Sequence, residues 1–249
     1  MVKGVAVKFQ SYEETIPKLL KVLKFDEELK KHDKIILKPN LVSGKISEST
    51  PVAFVEQVVR YVMANKNPGT EIFIAEGCDG FATMDVFEEL GYNTLAEKYD
   101  IGLIDLNNAE TGEINDPDFV HFESVHYPQI LLKGFVVSMP KLVQREDSIS
   151  GASDNMIGAF PAKHYRSFFS KKKNKLRNVP FEHQVYDILQ CKYPNFSLID
   201  ASEKGYIFAG QALEMDKQAA KLLGLDWGNI EHLKILENPP KKEEIEVES

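Results

Sequence analysis

Cysteine is nearly missing from this sequence: Cys78 and Cys191 are the only two among 249 residues. Two thiols cannot supply the four thiolates of a ferredoxin-type cluster or of an all-cysteine zinc site, nor can they build a disulfide framework. No iron–sulfur cluster is therefore expected. Cys78 follows an expected strand end and is a candidate reactive thiol, whereas Cys191 is expected to pack near a helix end. Long apolar runs are also lacking. No stretch of about 18 apolar residues occurs, so neither a membrane-spanning helix nor a membrane partner is expected. The opening Met1–Phe9 reads as a first strand rather than a secretory leader, because its apolar length is short and a polar helical segment follows at once. Cytoplasmic residence is the expectation. The sequence has neither G-x-G-x-x-G nor G-x-x-x-x-G-K-[ST], which removes the dinucleotide fingerprint and the P-loop. H-E-x-x-H, H-x-H and G-x-S-x-G are absent too, so a histidine-rich metal site and a Ser-His-Asp triad have no support.

What is present suits a buried core: 43% of residues are hydrophobic and 27% charged. The net charge of −8 argues against a general nucleic-acid binder. One segment runs against that balance, with Lys163, Arg166, Lys171, Lys172, Lys173, Lys175 and Arg177. This basic loop, 163–177, is either a solvated surface segment or an electropositive flap over an anionic ligand. Phe168 and Phe169 within it suit a packed anchor or a lid. After Pro239-Pro240 the charged end, 239–249, reads as a flexible tail.

Gly4–Phe9 alternates as a strand does. Ser11 and Glu14 have capping-box spacing, and Ile16, Leu19, Leu20 and Leu23 follow at helical intervals. Ile35-Ile36-Leu37 is a continuous apolar run suited to a central strand, which Pro39 stops for want of an amide donor. Ser49-Thr50-Pro51 offers a cap and a first-turn proline for a helix whose buried face carries Phe54, Val55, Val58, Val59 and Val62. Thr70–Ala75 is a strand, Met84–Leu90 a helix stopped by Gly91, and Ile101–Leu106 another strand. Gly134–Pro140 and Phe196–Ile199 are further strands. Met215–Leu223 is a helix, and Leu233–Leu236 is a late strand or helix. The β-α-β-α-β order predicts an α/β fold with a mostly parallel sheet, helices on both faces and right-handed crossovers. An irregular or antiparallel section is inserted near 107–130. The absence of internal repeats and linkers favours one unit over 1–238.

In open α/β sheets, ligands sit outside the carboxyl ends of the strands. Lys38-Pro39-Asn40, Glu76-Gly77, Pro140-Lys141 and Asp200 all fall at such ends, so these polar groups are expected to converge. Lys38 and Lys141 are candidate cations for an anionic ligand, and Lys38 is either a crevice clamp or a snorkelling surface lysine. The small-residue run Ser148–Gly158 can present backbone amides to an anion, or Asp154 and Asn155 can act as oxygen ligands to a hard cation. Alternatively it is simply a capped helix entry. His164, just beyond that run, is the histidine chosen for acid–base work. Glu76, Asp79, Asp200 and Asp216 are the carboxylate candidates.

These residues, in this order, resemble the family catalogued as domain of unknown function 362, whose members often occur fused to ferredoxin-like modules. The matching pieces are Ile36–Val42, Ser49-Thr50-Pro51, Glu76-Gly77, Pro140-Lys141-Leu142, Gly151–Gly158 and Lys163-His164. They continue with Phe196–Asp200 and Met215-Asp216 through Asp226. The resemblance implies a fold and a site at these positions, but no settled activity. Where members usually follow Pro-Lys-Leu with Lys-Thr-His, this chain has Val143-Gln144-Arg145. Where they read Ala-Leu-Lys-Asn-Leu-Phe-Gly, it has Ala152–Gly158 without the lysine. The ferredoxin cysteines, and with them the electron-transfer half, are missing.

The expectation is an enzyme or enzyme-like protein binding a small anionic metabolite, with or without a divalent metal. Lys38, Asn40, Lys141 and Asn155 would bind the ligand, and His164, Glu76 and Asp200 would serve catalysis. Asp154 and Asp216 would meet a metal. The alternative is a non-catalytic binding or accessory protein for a redox or metallocofactor system. A third use, docking of an acidic partner or RNA by the basic loop, is disfavoured by the net charge. Nothing in the sequence specifies a reaction or an oligomeric state.

Overall fold

The computed structural model describes residues 4–240, so the start of the expected first strand and the tail from 241 lie outside the described residues. The first half alternates strand and helix as its periodicity predicts. It runs β1 (Gly4–Lys8), α1 (Tyr12–Val22), α2 (Phe25–Leu29), β2 (Lys34–Pro39), α3 (Val52–Asn65), β3 (Glu71–Glu76), α4 (Thr83–Glu89), α5 (Tyr92–Tyr99) and β4 (Gly102–Asp105). Ser11 caps α1 by accepting the Glu14 amide at 3.2 Å, which is half of the expected capping box. Gly91 ends the α4 segment in the left-handed region (φ 81°), where a β-carbon would be strained, and α5 starts at the next residue.

The 107–130 section contains an antiparallel pair, β5 (Thr111–Ile114) and β6 (Val125–Pro128), and leads through α6 (Gln129–Lys133) into β7 (Phe135–Met139). A short hairpin follows, β8 (Val143–Arg145) and β9 (Ser148–Ser150), then a 3-10 turn at Asp154–Ala159 and α7 (Ala162–Tyr165). The chain closes with α8 (Phe181–Cys191), β10 (Phe196–Ala201), β11 (Tyr206–Gly210), α9 (Ala212–Leu222) and α10 (Glu231–Glu237). Leu233–Leu236 therefore lies in a helix.

Seven strands form one sheet in the order β1-β11-β10-β7-β2-β3-β4. From β10 to β4 every pairing is parallel, while β11 runs against both of its neighbours. The fold is thus a mostly parallel α/β sheet between helices, with a few antiparallel strands. One strand is missing from the sequence reading: β11, against which β1 pairs at the edge of the sheet (Val5 opposite Ala209). Local periodicity finds a strand but carries no information about its partner.

Both faces of the sheet are covered. Ile35, Leu37, Ile72 and Ile74 pack against α1 to α5, while Ile36, Ala75 and Val136 pack against the β5–β6 section, α8 and α10. α9 covers Ile199 and Phe208 at the β10–β11 end. The middles of the central strands are hence apolar on both faces, as two-sided burial requires, and their polar residues fall toward the strand ends.

One buried carboxylate fastens the 107–130 section to the body. Asp187, on α8 and fully buried, accepts the amides of Val120, His121 and Phe122 at 2.8, 3.0 and 3.0 Å. Burial pushes its carboxyl above the ordinary range, while the three amides pull the other way. Asp187→Ala is expected to leave these donors unpaired and cost roughly 2–4 kcal/mol in chemical denaturation. A variant within about 0.5 kcal/mol of the parent would show that the clasp is dispensable.

Candidate functional site

Period-2 alternation sends Ile35 and Leu37 to one face of β2 and Ile36 and Lys38 to the other. Lys38 is the last residue before the proline stop, and it is fully buried rather than half-solvated. Its ammonium donates to both oxygens of Glu76 (3.1 and 2.9 Å) and to Asn155 Oδ1 (3.0 Å). Glu76, 3% exposed, is the last residue of the neighbouring strand β3, so the parallel register brings the two together. Glu76 Oε1 also accepts the Gly77 amide at 2.7 Å. Asn155 returns its own amide to Lys38 O and to Ser138 Oγ, tying the ends of β2 and β7 to the loop after β9. Each partner is therefore satisfied, as a buried ion pair requires.

The Ser148–Gly158 run is shaped by a second carboxylate. Asp216, on α9 and fully buried, accepts the amides of Ala152 (2.6 Å) and Ser153 (2.8 Å). Burial pushes its carboxyl up to about 7. Asp154 accepts the Gly151 amide at 2.6 Å, and its carboxyl too is raised by burial. The run then lays Gly158 directly over the ion pair, where a β-carbon would stand 2.6 Å from Lys38 Nζ. A side chain there would have to displace the ends of both Lys38 and Glu76.

Lys173 completes the constellation. Its ammonium donates to Gly77 O (2.8 Å) and Gly158 O (3.3 Å), and its backbone amide donates to Asp79 Oδ1 (2.6 Å). At 5% exposure, burial lowers its pKa to about 8; Glu76 opposes that shift and Lys38 adds to it. These groups wall a cleft of about 360 Å³ at the carboxyl ends of β2 and β3. Of the residues singled out in the sequence, Asn40, Glu76, Asp79, Asp154 and Asn155 line it, and Lys173, Arg177 and Arg145 (paired with Glu48 at 3.7 Å) bring positive charge to the same wall. Phe81 and Phe181, each about half exposed, supply its apolar part.

The remaining expected residues lie elsewhere. Lys38 has no exposed surface, so its charge is spent on Glu76 rather than offered at the mouth. Lys141 pairs with Glu203 at 2.6 Å, and Asp200 accepts Tyr12 OH (2.8 Å) and the Ser202 amide (3.0 Å). They form a second cluster at the ends of β7 and β10. His164 stacks on His126 with ring centroids 3.8 Å apart and shares a hydrogen bond with Thr111; it does not line the cleft. Burial lowers its pKa, with His126 and Lys163 adding to the effect. Asp216 spends both oxygens on the loop. Among the described residues no group of three or more His, Cys, Asp or Glu side chains could hold a metal ion. Cys78 is not the reactive thiol considered above: it is buried, and burial pushes it up to about 12. Ser49 and Thr50 do not cap α3. Their hydroxyls accept the amides of Val42 (2.8 Å) and Asn40 (2.9 Å), and Thr50 also donates to Met139 O.

Lys173 and Arg177 entered the sequence reading only as members of the basic loop, read as either a solvated segment or an electropositive flap, and Arg145 was given no site role. Lys173 stands in a run of three lysines whose other two members are exposed, so only the buried Leu176 one turn later hints at its inward course. Removing one member of the buried pair, as in Lys38→Met, is expected to cost about 3–5 kcal/mol, because Glu76 keeps an uncompensated charge. The double variant Lys38→Met/Glu76→Leu should lose less. Equal or greater loss in the double variant, read by denaturant unfolding, would contradict that origin of the cost.

The family model described as a domain of unknown function, DUF362, matches residues 35–216 of the chain. No curated protein matches it. The matched span includes Lys38, Glu76, Asn155 and Lys173, and it ends at Asp216. No helix among the described residues is long and apolar enough to cross a membrane.

Proposed function

We propose that this chain, which belongs to the DUF362 family, is a cytoplasmic protein that binds a small anionic metabolite in the cleft at the carboxyl ends of β2 and β3. The observation that carries this reading is the buried ammonium of Lys173 at the cleft wall, held by two carbonyls beside an ion pair that is already neutral. Its direct partners are carbonyls, with Glu76 and Asp79 as nearby carboxylates, and Arg177 and Arg145 (paired with Glu48 at 3.7 Å) add positive charge to a wall that also carries Asp79 and Asp154. A guanidinium matches a carboxylate or phosphate two bonds at a time. Asn40 would offer a hydrogen bond to the ligand, while Asn155 and Glu76, whose polar atoms are engaged with Lys38, Ser138 and Gly77, hold the cleft wall in shape. An anion arriving with a divalent cation would meet Asp154 first. Nucleic acid is not the ligand in this reading, since the cleft is small and the chain carries −8 overall.

A second reading, a binding or accessory protein without turnover, gains support from His164 and Asp200 standing outside the cleft. The two readings share the anion site.

Inorganic phosphate and small dicarboxylates are the probes. They are expected to raise the melting temperature in proportion to the logarithm of their concentration. Lys173→Met should weaken that binding roughly 10- to 100-fold, the loss of one charge-assisted contact. No phosphate- or dicarboxylate-dependent shift in the parent protein would overturn the proposal.

The pH dependence has a definite sign. Lys173 is charged below about 8 and loses its proton above that value, so anion affinity should fall as pH rises through 8 and beyond. A bound anion favours the charged form and moves the fall upward in the complex. Isothermal titration between about pH 6.5 and 9.5 should show this fall in the parent and its loss in Lys173→Met. The same slope in both proteins would assign the charge to another group.

A further inference from the structure

Phe168 and Phe169 are 93% and 96% exposed, the most exposed of the large hydrophobic side chains among the described residues. Their rings stand edge to face, 5.0 Å apart, and neither reaches the apolar clusters of the core. The loop that carries them is built, not loose. Ser167 and Asn174 close its base through two hydrogen bonds of 2.8 Å, and Lys173 fixes its far arm to Asp79 and Gly77. Two adjacent aromatic rings held in water by an ordered loop carry a hydration penalty that only an outside partner relieves.

Charge indicates which partner. Residues 163–177 hold seven of the 30 basic residues and none of the 38 acidic ones. The rest of the chain therefore carries 23 cations against 38 carboxylates, a net of −15. Arg166, Lys171 and Lys172, immediately flanking the aromatic pair, are exposed. An anionic surface repels the body and attracts this one tip, so approach is oriented loop-first. The two rings stand clear of the core between exposed Arg166 on one side and exposed Lys171 and Lys172 on the other, so apolar and cationic groups share one tip. Rings at the headgroup–acyl boundary with lysines among the phosphates is the arrangement that an anionic bilayer rewards.

We propose that the Phe168–Phe169 tip docks this protein reversibly on an anionic lipid surface, the two rings entering the interface and Arg166, Lys171 and Lys172 meeting lipid headgroups. This is contact with a surface, not a crossing, and it goes beyond the finding that no helix among the described residues could cross a membrane. It is independent of the anion cleft.

Co-sedimentation of the full chain with vesicles tests it. Vesicles of phosphatidylcholine containing about 30% phosphatidylserine should bind the protein at low ionic strength, and pure phosphatidylcholine should not. About 0.5 M salt should release it, because the cations act through a screened field. Phe168→Ser/Phe169→Ser is expected to reduce binding at least about tenfold while leaving both the melting temperature and the phosphate response unchanged, since neither ring touches the core. Absence of binding to the anionic vesicles, or equal binding by the double variant, would overturn the proposal. So would aromatic-dependent retention on single-stranded RNA or an acidic peptide with no retention on vesicles.

Discussion

The carboxyl edge of the sheet is organised around the buried ion pair of Lys38 and Glu76. A lysine with no exposed surface requires a carboxylate at hydrogen-bond distance, further acceptors for its remaining protons, and a backbone that allows no side chain to intrude. Each requirement recruits a different part of the chain. Neighbouring parallel strands supply the two charges, the loop after β9 supplies Asn155, and Gly158 closes over the top. Asp216, on α9, then holds that loop in place. The pair neutralises itself, so the electrostatic character of the cleft above it is set by the groups added around it.

That division explains why the candidate residues separate into two clusters. β7 lies between β10 and β2, and each side of it carries its own lysine–carboxylate arrangement: Lys38 with Glu76, and Lys141 with Glu203 beside Asp200. Two lysines at neighbouring strand ends looked like a shared anion clamp, yet each is occupied by a carboxylate of its own. The cations that line the cleft are Lys173 and Arg177, from the 163–177 loop, and Arg145, from the end of β8, where it pairs with Glu48 at 3.7 Å. Loops delivering function to a rigid sheet edge is the usual division of labour.

The parts of this arrangement legible from sequence are those with a local cause. Ile35-Ile36-Leu37 before Pro39 marks a central strand, Ser11 with Glu14 marks a helix start, and polar residues recur at strand ends. Asn40 and Glu76 stand out as polar strand ends and Asp154 and Asn155 as members of the small-residue run, and all four line the cleft. What escaped depends on long-range packing. The run Tyr206–Gly210 becomes a strand only because β1 and β10 flank it. Lys173 differs from Lys171 and Lys172 only in where the loop turns inward. The choice of His164 rested on its proximity in sequence to the small-residue loop, whereas α7 carries it to the β5–β6 section and a stack with His126.

If the cleft holds an anion through a buried, carbonyl-held ammonium, then Lys173 should titrate abnormally and its titration should respond to the ligand. Carbon-13 NMR of labelled lysine side chains, assigned with Lys173→Met, measures this directly. The account predicts a Lys173 midpoint near 8 in the free protein and a higher one in saturating phosphate. A midpoint near the ordinary value of about 10.4, unchanged by phosphate, would contradict it.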